Sequence, residues 1–273
     1  MSKKPILCCI EGGGVRQIEN AAGAMTALYD YGIKPDYFWG SSAGAIISGL
    51  MASRMSPSTL VDLINKTPIE DLFVPQPLYR QLLSFIPGYT AAFFDAAGTY
   101  NLMKRYMTAD AREYARVAVT KMRSDTNDNP VPQMCEATPA TVMASMAIPC
   151  VFPPVIINGE KYEDGGVLNI LPLPTWTEAD EYEHIYIILC NSDAEDSDKS
   201  VPGAIKRGIT ALLDTMNRER VSFYEAGWKD RDNVTVFETS PYPSSLLDWS
   251  ENHGLISHSY MCTVNKLKEL GYA

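Results

Sequence analysis

The chain has 273 residues, and 23 Lys+Arg against 33 Asp+Glu give a formal charge of −10. A hydrophobic fraction of 46% with 21% charged residues belongs to a chain that folds around a core, which excludes global disorder. The acidic balance argues against a nucleic-acid partner and against a polybasic grip on anionic lipid, while leaving apolar insertion into a membrane surface open.

Ile6 to Ile10 is a continuous apolar run of strand length, the pattern of a parallel strand buried on both faces. Gly12, Gly13 and Gly14 follow at once, and Ile18, Ala21, Ala22, Met25, Leu28 and Tyr29 then recur at helical spacing. Gly32 is placed to cap that helix, with Pro35 just beyond. Tyr37 to Trp39 reads as a second strand, and Gly40 to Gly44 turns the chain into a helix through Ile46, Ile47, Leu50 and Met51. Ser56-Pro57 is an N-cap followed by a proline at the first helical position, opening a helix with Leu60, Leu63 and Ile64. Residues 74–106, rich in aromatics and prolines, read poorly as any single element.

Val117 and Val119 mark a strand over 115–122, and Thr138-Pro139 opens a short helix ending before Pro149. Val155 to Ile157 and Lys161-Tyr162 form a predicted hairpin around Asn158-Gly159, a type I′ turn signal. Ile185 to Cys190 is a further buried strand. Helices are predicted around 202–226 and 254–270, with a strand over 234–237 between them. The alternation of strands and helices predicts an α/β fold with a central, mostly parallel sheet in one domain over residues 1–273.

The N-terminal apolar run is too short for a secretory signal, and no run of about 18 apolar residues exists to span a membrane. Cys8, Cys9, Cys135, Cys150, Cys190 and Cys262 show no C-x-x-C or zinc spacing. Reduced thiols and a cytoplasmic location are the expectation.

Three local constellations carry possible chemistry. Gly40-Ser41-Ser42-Ala43-Gly44 is a G-x-S-x-G turn whose glycines permit a sharp strand-to-helix bend that pushes the Ser42 hydroxyl outward. On its own it is as compatible with a plain turn as with a nucleophile. Gly12-Gly13-Gly14-Val15-Arg16 leaves backbone N–H groups uncovered at a helix start, a place for a phosphate or an oxyanion. The dinucleotide fingerprint would need glycine at position 17, which is Gln17. Asp164-Gly165-Gly166 holds an aspartate at a strand end, which taken alone reads as an ordinary Asp-Gly turn.

Taken in order, these motifs resemble the patatin-like phospholipase family. The string Ala144-Ser145-Met146-Ala147-Ile148-Pro149, Phe152-Pro153-Pro154, then Asp164-Gly165-Gly166-Val167 with Asn169 and Pro172, strengthens the resemblance, which runs from Ile6 to Pro174. It implies a three-layer α/β/α fold and a lipid acyl hydrolase of the phospholipase A or lysophospholipase type. Ser42 would be the nucleophile and Asp164 the general base. The backbone of Gly12, Gly13, Gly14, Val15 and Arg16 would form the oxyanion hole. Gly40 and Gly44 would shape the nucleophile elbow, and Gly165 and Gly166 the turn after the base. The family needs no metal or cofactor, and the implied partners are a phospholipid or other acyl-ester lipid and transient contact with a membrane surface. Glu11 and Gln17 stand where the family usually has Asp and Gly.

Acyl transfer to an alcohol, hydrolysis of a non-lipid ester, and a catalytically silent lipid- or anion-binding protein remain alternatives on the same residues. A Ser–His–Asp triad would draw on His253 or His258, since His184 precedes a buried strand and reads as structural. Neither Asp125, Asn127, Asn129 and Glu136 nor Asp193, Glu195, Asp196 and Asp198 has the glycine a calcium loop requires. Phe85, Ile86, Tyr89, Phe93, Phe94 and Tyr100 read as packing against the sheet or as an acyl-chain wall, with Pro87-Gly88 as a hinge. The sequence does not set the oligomeric state.

Overall fold

The computed structural model describes residues 3–77, 92, 94–95, 97–122, 129–149, 151–190, 227–228, 231–240, 242 and 254–273. The expected helix at 202–226, His253, the acidic run at 193–198, and Phe85, Ile86, Tyr89 and Phe93 lie outside them.

Among the described residues, a sheet of eight strands carries the fold. Its path is β10 (Val234–Thr239), β9 (His184–Cys190), β1 (Ile6–Ile10), β2 (Tyr37–Ser41), β5 (Ala115–Met122), β8 (Glu160–Asp164) and β7 (Val155–Ile157), with β6 (Val131–Glu136) also on β5. The first five run parallel; β6 and β8 are antiparallel to β5, and β7 to β8. β3 (Val74–Pro75) and β4 (Phe94–Asp95) form a separate two-stranded ribbon.

β1 explains the layering. Cys8 and Ile10 enter one core with residues of helices α1 (Val15–Asp30), α2 (Ala43–Ala52) and α3 (Pro57–Lys66). Leu7 and Cys9 enter a second core on the opposite face with Ile170, Leu171 and Trp228. Side chains alternate across a strand, so an all-apolar strand needs a cover on both faces. The short helix α8 (Trp176–Ala179) contributes Ala179 to the second core, and the result is three layers, α/β/α. Four further helices complete the described residues: α4 (Ile69–Leu72), α5 (Ala97–Tyr106), α6 (Asp110–Tyr114) and α7 (Pro139–Ser145), before α9 (Gly254–Glu269). Among the described residues no helix is long and apolar enough to cross a membrane.

The local punctuation follows the residues. Gly32 has φ 75°, and the N–H of Ile33 returns to the C=O of Leu28 at 2.8 Å, ending α1. Asn158 and Gly159 both have positive φ, 51° and 82°, as a type I′ hairpin requires. Ser56 accepts the N–H of Thr59 at the start of α3, and Thr138 caps α7 reciprocally with Thr141.

Close approach sets the helix on the sheet. A Cβ on Gly44 would lie 2.4 Å from the C=O oxygen of Ile10, and one on Gly40 2.2 Å from that of Gly44. Helix α2 can therefore start against the ends of β1 and β2 only with glycine at both places. Gly44→Ala is expected to lower stability by about 1–3 kcal/mol or more, the cost of forcing atoms into a packed site. A denaturant midpoint measured beside wild type checks it.

Candidate active site

The two carriers of the site meet on one edge of β5. β2 pairs with residues 115–118 of that strand, ending at Ser41 opposite Ala118. β8 pairs with 119–122, ending at Asp164 opposite Val119. β6 takes the other edge. The parallel strand and the antiparallel strand thus arrive end to end, and Ser42 and Asp164 are brought together across 122 positions of chain.

Ser42 Oγ donates to Asp164 Oδ2 at 2.8 Å. The other carboxylate oxygen, Oδ1, accepts the N–H of Gly166 at 2.6 Å. The Asp164 backbone is held as well: its N–H donates to the C=O of Ala147 at 2.9 Å, and its C=O accepts the Thr120 hydroxyl at 2.8 Å. Gly165 makes the sharp exit possible, since a Cβ there would stand 2.1 Å from the C=O oxygen of Ala118. Asp164 is 2% exposed, and this burial pushes its pKa from 3.8 up to about 7, against the opposing hydrogen bonds from Ser42 and Gly166.

Ser42 has φ 50° and ψ −121°, an uncommon backbone for a residue with a side chain, costing about 1–3 kcal/mol. The expected outward placement needs correction: Ser42 is only 6% exposed. The end of β8 and Gly12 close around it, a Cβ on Gly12 coming within 3.2 Å of Ser42 Cβ. Its N–H donates to the hydroxyl of Ser145 at 2.9 Å. Ser145 stands inside the Ala144–Pro149 motif, and nothing in the residues around it signals this bond, which depends on where α7 packs.

The glycine-rich loop lies against this pair and ends in a backbone that only glycine adopts easily, Gly14 at φ 66° and ψ −155°. Among the described residues the N–H groups of Gly13, Gly14 and Val15 make no hydrogen bond. Gly12 differs from its expected part: its N–H donates to the C=O of Ile170 at 2.8 Å, so it supplies room rather than a donor. Arg16 is buried and its Nε donates to the C=O of Gly13 at 3.2 Å, bracing the loop from within.

The two residues that depart from the family pattern both serve the frame. Glu11 Oε1 accepts the N–H of Cys190 at the end of β9. Gln17 donates to the C=O of Ile188 and accepts from Asn20, which in turn donates to the C=O of Leu189. An amide side chain here ties α1 to the end of β9, a task glycine cannot perform.

The described histidines lie elsewhere. His184 Nε2 is 2.8 Å from Thr235 Oγ1, and burial lowers its pKa. His258, on α9, has Nε2 2.9 Å from Ser240 Oγ, just past the end of β10 at the far edge of the sheet. Ser42 Oγ meets Asp164 directly, and the two described rings are held at β10 residues or just beyond them, at Thr235 and Ser240. Phe94 packs with Phe152, ring centroids 6.0 Å apart, and Phe152 with Phe73 at 5.1 Å. A cavity of about 770 Å³ between β10 and α9 has neither Ser42 nor Asp164 in its lining.

A buried hydroxyl on a carboxylate of raised pKa, next to unengaged amides, is a set able to form and break an ester at serine. The family model for patatin-like phospholipase matches residues 8–175, more than half of the chain. Among solved structures, VipD from Legionella pneumophila is similar in fold at TM-score 0.54 and 15% identity, covering 98% of this chain and 67% of that one. The complex of SpcU with ExoU from the type III secretion system of Pseudomonas aeruginosa gives TM-score 0.48 and 15% identity, over 98% of this chain and 53% of the other. No curated protein matches. With its motifs, sheet and matched span in agreement, the chain belongs to the patatin-like phospholipase family.

Proposed function

We propose that the protein is a lipid acyl hydrolase of the phospholipase A or lysophospholipase type, working through a Ser42–Asp164 dyad without a cofactor. The observation that carries this is the 2.8 Å hydrogen bond from Ser42 Oγ to a buried carboxylate whose pKa is pushed up to about 7. A carboxyl group of ordinary pKa is a weak base for a serine proton; at about 7 it is matched to neutral pH.

Ser42 Oγ attacks the ester carbonyl carbon as its proton passes to Asp164 Oδ2. The amides of Gly13, Gly14 and Val15 stabilise the oxyanion, a contribution of several kcal/mol in comparable sites. Asp164 returns the proton to the departing alcohol oxygen as the carbon–oxygen bond breaks. Water then attacks the acyl-serine, gives a proton to Asp164, and releases the fatty acid with the Ser42 hydroxyl restored. Phospholipid or another acyl-ester lipid is the substrate, met by transient contact with a membrane surface from the cytoplasm.

Fluorophosphonate labelling, with the adduct mapped by mass spectrometry, tests the nucleophile, and product analysis on phosphatidylcholine vesicles tests the reaction. Labelling at Ser42 with free fatty acid as product is the expected result. Labelling without turnover would leave a binding protein, and transfer of the acyl group to an added alcohol in preference to water would leave a transferase. His258→Ala is expected to keep its kcat within about twofold, because the ring is held at Ser240 and not at the dyad. A thousandfold loss, the size expected on removing a triad base, would hand the mechanism to histidine.

A further inference from the structure

Ser145 is the last residue of α7 and is fully buried. Its oxygen accepts the N–H of Ser42 at 2.9 Å, and its own proton goes to the C=O of Ala118 on β5 at 2.5 Å. Two residues on, the C=O of Ala147 accepts the N–H of Asp164 at 2.9 Å. One three-residue segment therefore grips both members of the Ser42–Asp164 pair by their main chains.

We propose that Ser145 is a positioning residue that, together with the Ala147 carbonyl, holds Ser42 in its unfavourable backbone conformation and sets the distance between Ser42 Oγ and Asp164. This rests on the Ser–Asp reading above. The peptide plane after Ser42 is fixed by α2, which starts at Ala43. The plane before it is fixed by the bond from its N–H to Ser145. With both planes held, φ at Ser42 has no freedom to relax toward negative values, a change that would swing Oγ away from the carboxylate. The same bond engages the Ser42 amide, so this amide is not available to an oxyanion. Only a side chain that accepts and donates at one atom can bridge the Ser42 N–H and the Ala118 C=O; alanine does neither.

The test compares wild type, Ser145→Ala, Ser145→Cys and Ser42→Ala on a water-soluble short-chain ester, well below each melting temperature. In folded Ser145→Ala we expect kcat to fall about 10–100-fold, the range for a catalytic group displaced by about 1 Å, with KM within about twofold. The acid limb of the pH profile should also move up by about half a pH unit, because the hydrogen bond from Ser42 holds the Asp164 pKa down. A purely structural role would lower the melting temperature and leave that limb in place. Wild-type kcat and an unmoved acid limb in folded Ser145→Ala overturn the proposal. Should the alanine variant not fold, Ser145→Cys decides by the same criteria, since its sulfur fills the site but is a weak acceptor. An inactive Ser42→Ala beside a fully active Ser145 variant removes the positioning role alone; an active Ser42→Ala removes the dyad beneath it.

Discussion

Ser42→Ala is expected to lower ester hydrolysis by about ten-thousandfold or more and to abolish fluorophosphonate labelling, in a protein that still folds. The size follows from the roles. Without Oγ there is no acyl-enzyme, and Asp164 is left without the nucleophile it is paired with. The fold should survive, with a stability loss confined to one hydrogen bond. Alanine meets the same backbone strain at φ 50° as serine, so that cost is unaltered. The lost hydrogen bond leaves one oxygen of a buried carboxyl without its partner, a cost of about 1–3 kcal/mol for the neutral group. Asp164 limits even this by keeping its proton to higher pH once the Ser42 bond that lowers its pKa is gone. Melting curves recorded beside the rates separate loss of chemistry from loss of fold. Unchanged hydrolysis in folded Ser42→Ala would remove this serine from the mechanism.

The frame that carries this chemistry was legible where the chain is regular. β1 and β9 announce themselves as apolar runs because both faces are buried, and α1 as helical spacing closed by Gly32. The hairpin at Asn158-Gly159 was legible because only a few residue pairs accept two positive φ values. β6 was not. Its residues Val131–Glu136 are mostly half-buried or exposed and include Pro132, so they show neither clean alternation nor an apolar run. The reason such a strand forms at all is tertiary: β5 offers a free edge opposite the one shared by β2 and β8. Residues 97–106 likewise hide a helix, α5, behind aromatics that suggested irregular packing; Met103 and Thr99 are its buried points.

At the site the sequence identified which residues to watch but could not show how they are held. The motifs point to Ser42 and Asp164, yet the pairing of β2 and β8 end to end along β5 is a fact of register that spacing does not encode. The loop shows the same division. Three glycines signal exposed amides, but that the amide of Gly12 is taken by Ile170 depends on a residue 158 positions away in the chain, 170 minus 12. Gln17, read as a departure from a glycine, gains its meaning only when the end of β9 is in place beside it.

Asp164→Asn is expected to be nearly as inactive as Ser42→Ala and, at pH 8, at least as stable as wild type. Asparagine has the same shape: its carbonyl oxygen can keep the Gly166 N–H, and its amide can face Ser42 Oγ as a donor. It cannot take the serine proton at any pH, so a loss of about a thousandfold or more should appear at every pH tested. The stability sign comes from linkage. The Asp164 carboxyl has a pKa of about 7 in the folded chain against 3.8 for the unperturbed group, so between these values the folded state holds a proton that the unfolded state has lost. Stability therefore declines as pH rises from about 4 to about 7 and is flat in this respect above it, because the folded site must bear a buried charge. Asparagine escapes that decline. The melting temperature of Asp164→Asn relative to wild type should be near parity or below at pH 5, gain up to about pH 7 and level off above it. Wild-type activity should follow the same proton with the opposite benefit, rising with pH through an acid limb near 7 as the carboxylate becomes able to accept from Ser42. An acid limb near pH 4, with a stability difference that does not depend on pH, would mean that Asp164 is ionised throughout and that the raised pKa is not what fits it to the reaction.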